Sequence, residues 1–311
     1  MKVSFNQTSS PNVRATNGYG YAAKMCRESL IRLGHSVDWR DDTADVEINF
    51  IQPENWHWTG PYRIAYLPWE STGLRDGWSS LLNEVDEVWT PSPVIAQWFA
   101  DAGVTKNIRI YEHGVERLWE PYLRPLDGTF RILHHGGEAL RKGGNETIRA
   151  FLTKLGDEDA QLVLKMILQQ FNLHDTKHIQ LLLKKVDIDE LVAIYHGCSM
   201  FCYPSWGEGF GLTPLQAMAT GMPILITDGW APYARFIPEN SLIKSELVES
   251  PWQSHHPGMM FKPDEDDLRD KLRWHFDNRE SERDRAFNIA ETVRSEYDWD
   301  TLTAAAFAHL I

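Results

Sequence analysis

The stretch Ser205-Trp206-Gly207-Glu208-Gly209-Phe210-Gly211-Leu212 carries the residue types of a site that grips an anion. An apolar strand pattern, Met200 to Tyr203, runs into a loop with three glycines and then into a helical pattern from Leu212. Glycines let a ligand approach the backbone, and the exposed N–H groups at a helix start favour a diphosphate. The loop also holds the Glu208 carboxylate, and the helix contains the small residues Ala217 and Ala219 and leaves through Gly221-Met222-Pro223. The bland alternative is a tight strand-to-helix turn with no ligand. Other clusters are weaker. Asp264-Glu265-Asp266-Asp267 contains a D-x-D of the kind that holds a divalent metal, but it precedes a helix, where acidic N-capping explains it better. His134-His135 and His255-His256 are adjacent pairs without a partner cluster, so the reading is of no metal site. No nucleophile-elbow pattern is present to support a Ser-His-Asp triad.

Such a loop needs strands and helices to hold it, and the chain supplies them in alternation. Strand patterns at Lys2–Phe5, His35–Trp39, Val46–Ile51, Arg63–Leu67, Glu87–Thr90 and Ile108–Tyr111 are interleaved with helical patterns at Gly20–Leu33, Trp78–Val85 and Pro93–Ala102. Glu116 to Thr129, with Pro121, Pro125 and Asp127-Gly128, has turn chemistry and is the best boundary. A second alternation follows, with strands at 130–134, 161–167, 178–182, 200–203 and 223–227 and helices at 144–155, 188–197 and 212–220. Final helices are expected at Asp266–Asn278, Ser281–Tyr297 and Thr301–Leu310, and 239–258 reads as an irregular polar surface loop. Alternation of this kind predicts α/β architecture with parallel sheets, and two halves would leave a cleft between their strand C-termini.

Composition narrows the partners. The 311 residues include 44 acidic and 31 basic side chains, a formal charge of -13, which argues against coating a phosphate backbone. A local basic rim at Arg14, Lys24 and Arg27 remains open. Three cysteines without metal-ligand spacing (Cys26, Cys198, Cys202) fit a reducing, cytoplasmic compartment. The start, MKVSFNQTSS, has no apolar signal core, and no apolar run approaches membrane-spanning length, so no membrane span is expected. Thirteen tryptophans, eight of them before residue 120, read mostly as core, with a few available as platforms for a sugar or a base.

The glycine loop and its helix resemble the donor motif of the retaining glycosyltransferases of family 4. That motif reads E-G-x-G-L-x-x-x-E-A-M-A-x-G-x-P, and Glu208 to Pro223 reads E-G-F-G-L-T-P-L-Q-A-M-A-T-G-M-P. Asn17-Gly18-Tyr19-Gly20, Leu33-Gly34-His35-Ser36-Val37, Val88-Trp89-Thr90-Pro91-Ser92, Glu112-His113-Gly114-Val115 and Arg141-Lys142-Gly143 resemble further family elements, in order. The resemblance implies the GT-B fold: two facing Rossmann-like domains with a C-terminal helix returning to the first. The expected division is an acceptor domain at 1–122, a nucleotide-sugar donor domain at 123–290, and C-terminal helices at 291–311 packing back. It further implies a hexosyltransferase that works with retention and without metal or other cofactor, its co-substrate a nucleotide-diphosphate sugar. Glu208 would contact sugar hydroxyls, with Gly209, Phe210, Gly211 and Leu212 in the donor loop. Lys142 would neutralise the departing diphosphate, and Gly18 and Gly20 would let the first domain approach the phosphates.

Three departures from the family pattern bear on the site. The second motif glutamate, a ribose ligand in the family, is Gln216, which keeps hydrogen-bonding capacity but loses charge assistance. The arginine that precedes the K-G element falls near Gly136-Gly137; Arg141 or Lys165 could supply that charge, and Lys165 reads equally as a surface cation. The first-domain histidine is absent, and Pro68-Trp69-Glu70 stands where it would be expected. Glu70 becomes the candidate polar group facing the donor, or else a carboxylate capping Ser71-Thr72. A short first domain suits a large acceptor: a glycan, a protein or a nucleic acid with a modified base. The alternatives are a non-catalytic nucleotide-sugar-binding protein and, more weakly, a glycoside hydrolase with paired carboxylates.

Overall fold

The computed structural model describes residues 1–6, 18–137, 140–166 and 176–310. The first sheet contains β1 (Lys2–Asn6), β2 (Ser36–Trp39), β3 (Val46–Asn49), β4 (Arg63–Tyr66), β5 (Glu87–Thr90) and β6 (Asn107–Ile110). Its order is β2-β1-β3-β4-β5-β6, with every neighbouring pair parallel. Helices α1 (Gly18–Arg32), α2 (Trp78–Leu82) and α3 (Pro93–Asp101) cover it. Parallel strands buried on both faces need apolar side chains on both. Val3, Phe5, Ile48, Tyr66 and Trp89 form one cluster, and Ala65, Leu67 and Val88 join Trp69, Trp78 and Trp98 in the other. Most first-domain indoles are therefore core. Gly34, at φ +86°, ends α1 in the left-handed conformation a glycine adopts without strain.

The second sheet contains β7 (Phe130–His135), β8 (Ala160–Lys165), β9 (Ile179–Leu182), β10 (Met200–Tyr203), β11 (Ile224–Thr227) and β12 (Leu242–Ile243). They lie in the order β12-β11-β10-β7-β8-β9, again all parallel. Helices α4 (Gly144–Leu155), α5 (Ile188–His196), α6 (Leu212–Ala219), α7 (Glu265–Asp277), α8 (Arg279–Glu296) and α9 (Trp299–Phe307) follow the expected alternation. In this sheet the chain order reverses between β7 and β10. Open α/β sheets bind ligands beyond the strand C-termini at such a switch point. The two loops that leave it are those of Arg141-Lys142 and of Glu208.

The segment expected to be irregular at 239–258 is not. It holds β12 and β13 (Ser245–Glu249), and β13 pairs antiparallel with β14 (Met259–Pro263). Its pattern lacks apolar alternation because the ribbon is largely exposed; Leu247 is 49% accessible. Its order comes from cross-strand pairing that composition does not reveal. Arg14, Asn17 and Ile167 lie outside the described residues. Among those described, no helix is long and apolar enough to cross a membrane.

The C-terminal helix packs on the first domain. Arg32 pairs with Asp300 at 2.7 Å, and the Tyr111 and Thr303 hydroxyls meet at 2.7 Å. The connection between the domains is anchored by Arg124, a buried guanidinium that donates to the carbonyls of Cys198, Thr220 and Tyr195 at 2.6, 2.9 and 3.1 Å.

Candidate active site

Glu208 is 6% exposed and is the hub of the switch point. Both of its oxygens accept from Lys142 Nζ at 2.7 Å. Tyr203, which ends β10, donates to Oε1 at 3.0 Å, and Ser205 donates to the same oxygen at 2.7 Å. Burial alone would push this carboxyl up; Lys142 and Arg141 outweigh it and hold it below its ordinary value. Burial pulls the Lys142 ammonium below its own ordinary value, against the attraction of Glu208. The pair is charged, largely buried and well hydrogen-bonded, the condition under which a buried ion pair persists. Tyr203 and Ser205 were not assigned roles from sequence, although both sit in the quoted strand and loop.

Two turns make this contact possible. Gly143, at φ +77°, starts α4; a Cβ there would lie 2.1 Å from the Pro204 carbonyl oxygen. The loop of Lys142 thus lies directly on the loop of Glu208, and Trp206 N–H donates to Arg141 O at 2.9 Å. Gly211, at φ +85°, caps α6, and Tyr233 donates to its carbonyl at 2.6 Å. Phe210 is buried, its ring 4.8 Å from His113 and 5.5 Å from Tyr233. Leu212 joins the clusters of both domains. Gln216 is 6% exposed on α6, and its amide makes no hydrogen bond to the described residues.

Of the two cations proposed to replace the missing arginine, Arg141 joins the hub and Lys165 does not. Arg141 donates to Gly207 O at 2.6 Å and lies 3.8 Å from Glu208 Oε1. Lys165 ends β8 and gives its ammonium to the Lys184 carbonyl at 2.9 Å. Glu70 enters from the first domain with Oε1 3.8 Å from Arg141 and Oε2 3.6 Å from His256 Nδ1. It faces a cation and an imidazole of the second domain. Gly18 and Gly20 lie at the start of α1, and Tyr19 between them donates to Pro68 O at 2.7 Å, beside Glu70.

The donor-loop glycines are approached by the other domain. A Cβ at Gly207 would lie 2.1 Å from Glu70 O, and one at Gly209 would lie 2.5 Å from Pro68 Cβ. The remaining clusters are explained locally. Asp264 caps α7 through Asp266 and Asp267 N–H. His134 is a core residue and His135 is half-buried, and burial pushes them down to about 4 and about 3. The His134 ring meets Cys202 O at 3.0 Å, and that of His135 meets the Tyr195 hydroxyl at 2.8 Å. His113 is also held neutral, pushed by burial down to about 3.

Two parallel-sheet domains facing each other across this site define the GT-B class of glycosyltransferase. Sucrose-phosphate synthase of Thermosynechococcus elongatus superposes with a TM-score of 0.75 at 14% identity, covering 99% of this chain and 98% of that one. HepE of Anabaena, in complex with UDP and glucose, superposes with a TM-score of 0.73 at 12% identity over 100% and 99%. At these identities the likeness is one of fold. Residues 137–306 match the family described as Family 4 Glycosyltransferase in conflict systems, and the chain belongs to that family. The lipopolysaccharide core biosynthesis mannosyltransferase LpsB of Rhizobium meliloti is 56% identical over 34 residues, spanning 11% of this chain and only 10% of LpsB.

Proposed function

We propose that the chain moves a hexose from a nucleotide-diphosphate sugar to an acceptor hydroxyl, with retention and without a metal ion. The observation that carries the reading is the Glu208–Lys142 pair at the switch point, beside the start of α6. Lys142 has one N–H beyond the two given to Glu208, and Arg141 adds a second fixed cation. Together with the α6 N–H groups they would take the diphosphate and stabilise the charge it gains on leaving. Two fixed cations supply positive charge of the kind a divalent ion would bring. Glu208 Oε1 already accepts three bonds, so Oε2 is the atom placed to receive a sugar hydroxyl. Gln216 on α6 would reach the ribose with a neutral amide.

In the transfer, the acceptor oxygen bonds to the anomeric carbon as the bond to the diphosphate breaks. The electron pair leaves on the diphosphate, and the hydroxyl proton passes to a diphosphate oxygen. Family membership supports retention, and the mannosyltransferase name of LpsB and the UDP-glucose complex of HepE support a hexose donor. A large acceptor such as a glycan, a protein or a modified base fits the short first domain. Three buried, unpaired cysteines support a reducing, cytoplasmic setting. A thermal-shift screen with UDP-, GDP-, ADP- and dTDP-sugars tests the reading, because a matched donor raises Tm by mass action. A chain that no nucleotide sugar stabilises refutes it. Binding without turnover selects the non-catalytic alternative.

A further inference from the structure

The outer edge of β14 holds one loop from each domain. Ser250 N–H donates to Gly258 O at 2.9 Å, and β13 pairs with β14 in the register Val248–Met260. Backbone polar groups alternate between the two edges of a strand, so Met259 and Phe261 turn theirs away from β13. At Met259, Thr72 N–H donates to the carbonyl at 3.0 Å, and Met259 N–H donates back to Thr72 Oγ1 at 2.8 Å. At Phe261, the N–H donates to Trp206 O at 2.8 Å. A first-domain residue and a donor-loop residue thus dock about 7 Å apart along one strand. The ribbon itself is tied to the second domain: Asp264 N–H donates to Lys244 O at 2.8 Å, and Ser245 Oγ donates to Asp228 O at 2.7 Å. Beside Thr72, Gly73 N–H donates to Pro257 O at 3.1 Å and Arg75 donates to His255 O at 3.0 Å. A Cβ on Gly258 would lie 2.5 Å from Gly73 N, so the glycine is what admits this approach. Phe261 packs against the cores of both domains, its ring 6.0 Å from Trp98. Parting the domains therefore breaks the bonds at Met259 and spares the one at Phe261.

While those bonds are made, the donor loop is covered. Gly207 lies against Glu70 O and Gly209 against Pro68 Cβ. The side chains of Glu208, Arg141 and Lys142 are 6%, 7% and 16% accessible. A nucleotide-diphosphate sugar reaches Lys142 only after the first domain has moved off this loop. We propose that the outer edge of β14 is a latch that holds the ligand-free chain shut, and that release of Thr72 from Met259 gates donor entry. The gating rests on the transferase reading above; the latch does not. Four hydrogen bonds and the Phe261–Trp98 contact are lost together on opening, so the shut state is favoured without a ligand. Phe261 keeps the donor loop on β14 throughout, and the same strand receives Thr72 again when the domains close.

Two substitutions at a residue outside the donor site test the latch on the full chain. Thr72→Val removes the hydroxyl that accepts from Met259 and keeps the side-chain shape; Thr72→Ser keeps the hydroxyl. Amide hydrogen exchange of the ligand-free chain reads the opening equilibrium peptide by peptide. Loss of one hydrogen bond shifts such an equilibrium about fivefold. Thr72→Val is expected to speed exchange by that factor over residues 206–211 and 257–261. Residues 130–135, inside the second sheet, stay unchanged, and Thr72→Ser stays within about twofold of wild type. With the donor selected by the thermal-shift screen, the wild-type binding rate in stopped-flow tryptophan fluorescence levels off at high donor, and Thr72→Val raises the plateau by the same factor. Unchanged exchange at 206–211, an equal rise at 130–135, or an equal rise in Thr72→Ser overturns the latch. A wild-type rate that climbs linearly with donor overturns the gating. The expected exchange pattern in a chain that no nucleotide sugar stabilises refutes the transferase reading and leaves the latch in place.

Discussion

A methyl group at position 207 has nowhere to go while the two domains are together. The ideal Cβ of Gly207 lies 2.1 Å from Glu70 O and 2.9 Å from Met260 Cε. The methionine end can swing aside, but the carbonyl is backbone. Real Cβ atoms essentially never come within 3.0 Å of a neighbour, so Gly207→Ala must push the seam apart by about 1 Å. Gly207 is not in a left-handed conformation, so alanine is tolerated by its own loop and the strain falls on the contact between domains. Overpacking of this size costs about 1–3 kcal/mol. A displacement of about 1 Å at a reacting centre can cost on the order of a hundredfold in rate. The expected result is a modest loss in urea denaturation, a roughly hundredfold fall in kcat, and donor Kd within a few-fold of wild type, because Lys142, Glu208 and α6 all belong to the second domain. Steady-state turnover and donor titration on the same preparation measure all three. Wild-type turnover in Gly207→Ala would refute the reasoning, for it would mean that the working enzyme never brings Glu70 to the glycine loop.

Lys142→Ala should weaken a nucleoside diphosphate more than the bare nucleoside in calorimetric titration; equal weakening would place the lysine away from phosphate. It should also destabilise the fold by about 3 kcal/mol, since it leaves Glu208 buried without its main partner. Gln216→Glu should tighten donor binding by about 1 kcal/mol through charge-assisted bonds to ribose, and change transfer only modestly; unchanged affinity in donor titration would remove position 216 from the ribose site. Burial pushes the Glu116 carboxyl, on the connection between the domains, up from 4.5 to about 7. The folded chain therefore binds this proton more tightly than the unfolded one, and the associated stability is complete below pH 4.5 and lost as pH rises through 7. Glu116→Gln, which can still accept from Trp119, should match wild type near pH 4 and exceed it by about 3 kcal/mol at pH 8 in urea denaturation.

Local signals carried the second-domain half of the candidate site in the sequence. The apolar run Met200–Tyr203, the glycines after it and the small residues of α6 place Glu208 beyond a strand and before a helix, which is where it stands. Lys142 is legible because Gly143 follows it and the helix bounds at Gly144–Leu155 come from periodicity. What the sequence left open depends on groups distant along the chain. Strand alternation puts Lys165 at the C-terminal end of β8, but only the fold delivers the Lys184 carbonyl that occupies it. The glycines of the donor loop announce that something approaches the backbone; that Pro68 and Glu70 approach it is a tertiary fact. The β13–β14 ribbon was missed because its strands are exposed and are ordered by each other and by Thr72 and Gly73. With it went any signal that His256 meets Glu70.

The chain passes between the domains beside itself. Val115 leaves the first domain and returns an N–H to Tyr297 O at 2.7 Å, pairs in parallel with Asp298, and is preceded by Gly114 packed against the Trp299 ring. Two crossings laced together at one spot behave as a leaf spring: they resist twist and sideways slip and bend about a single axis. A parting of the domains about this spot would be a jaw-like swing rather than a slide. Closure about such a pivot would bring Glu70 to Arg141 in one register.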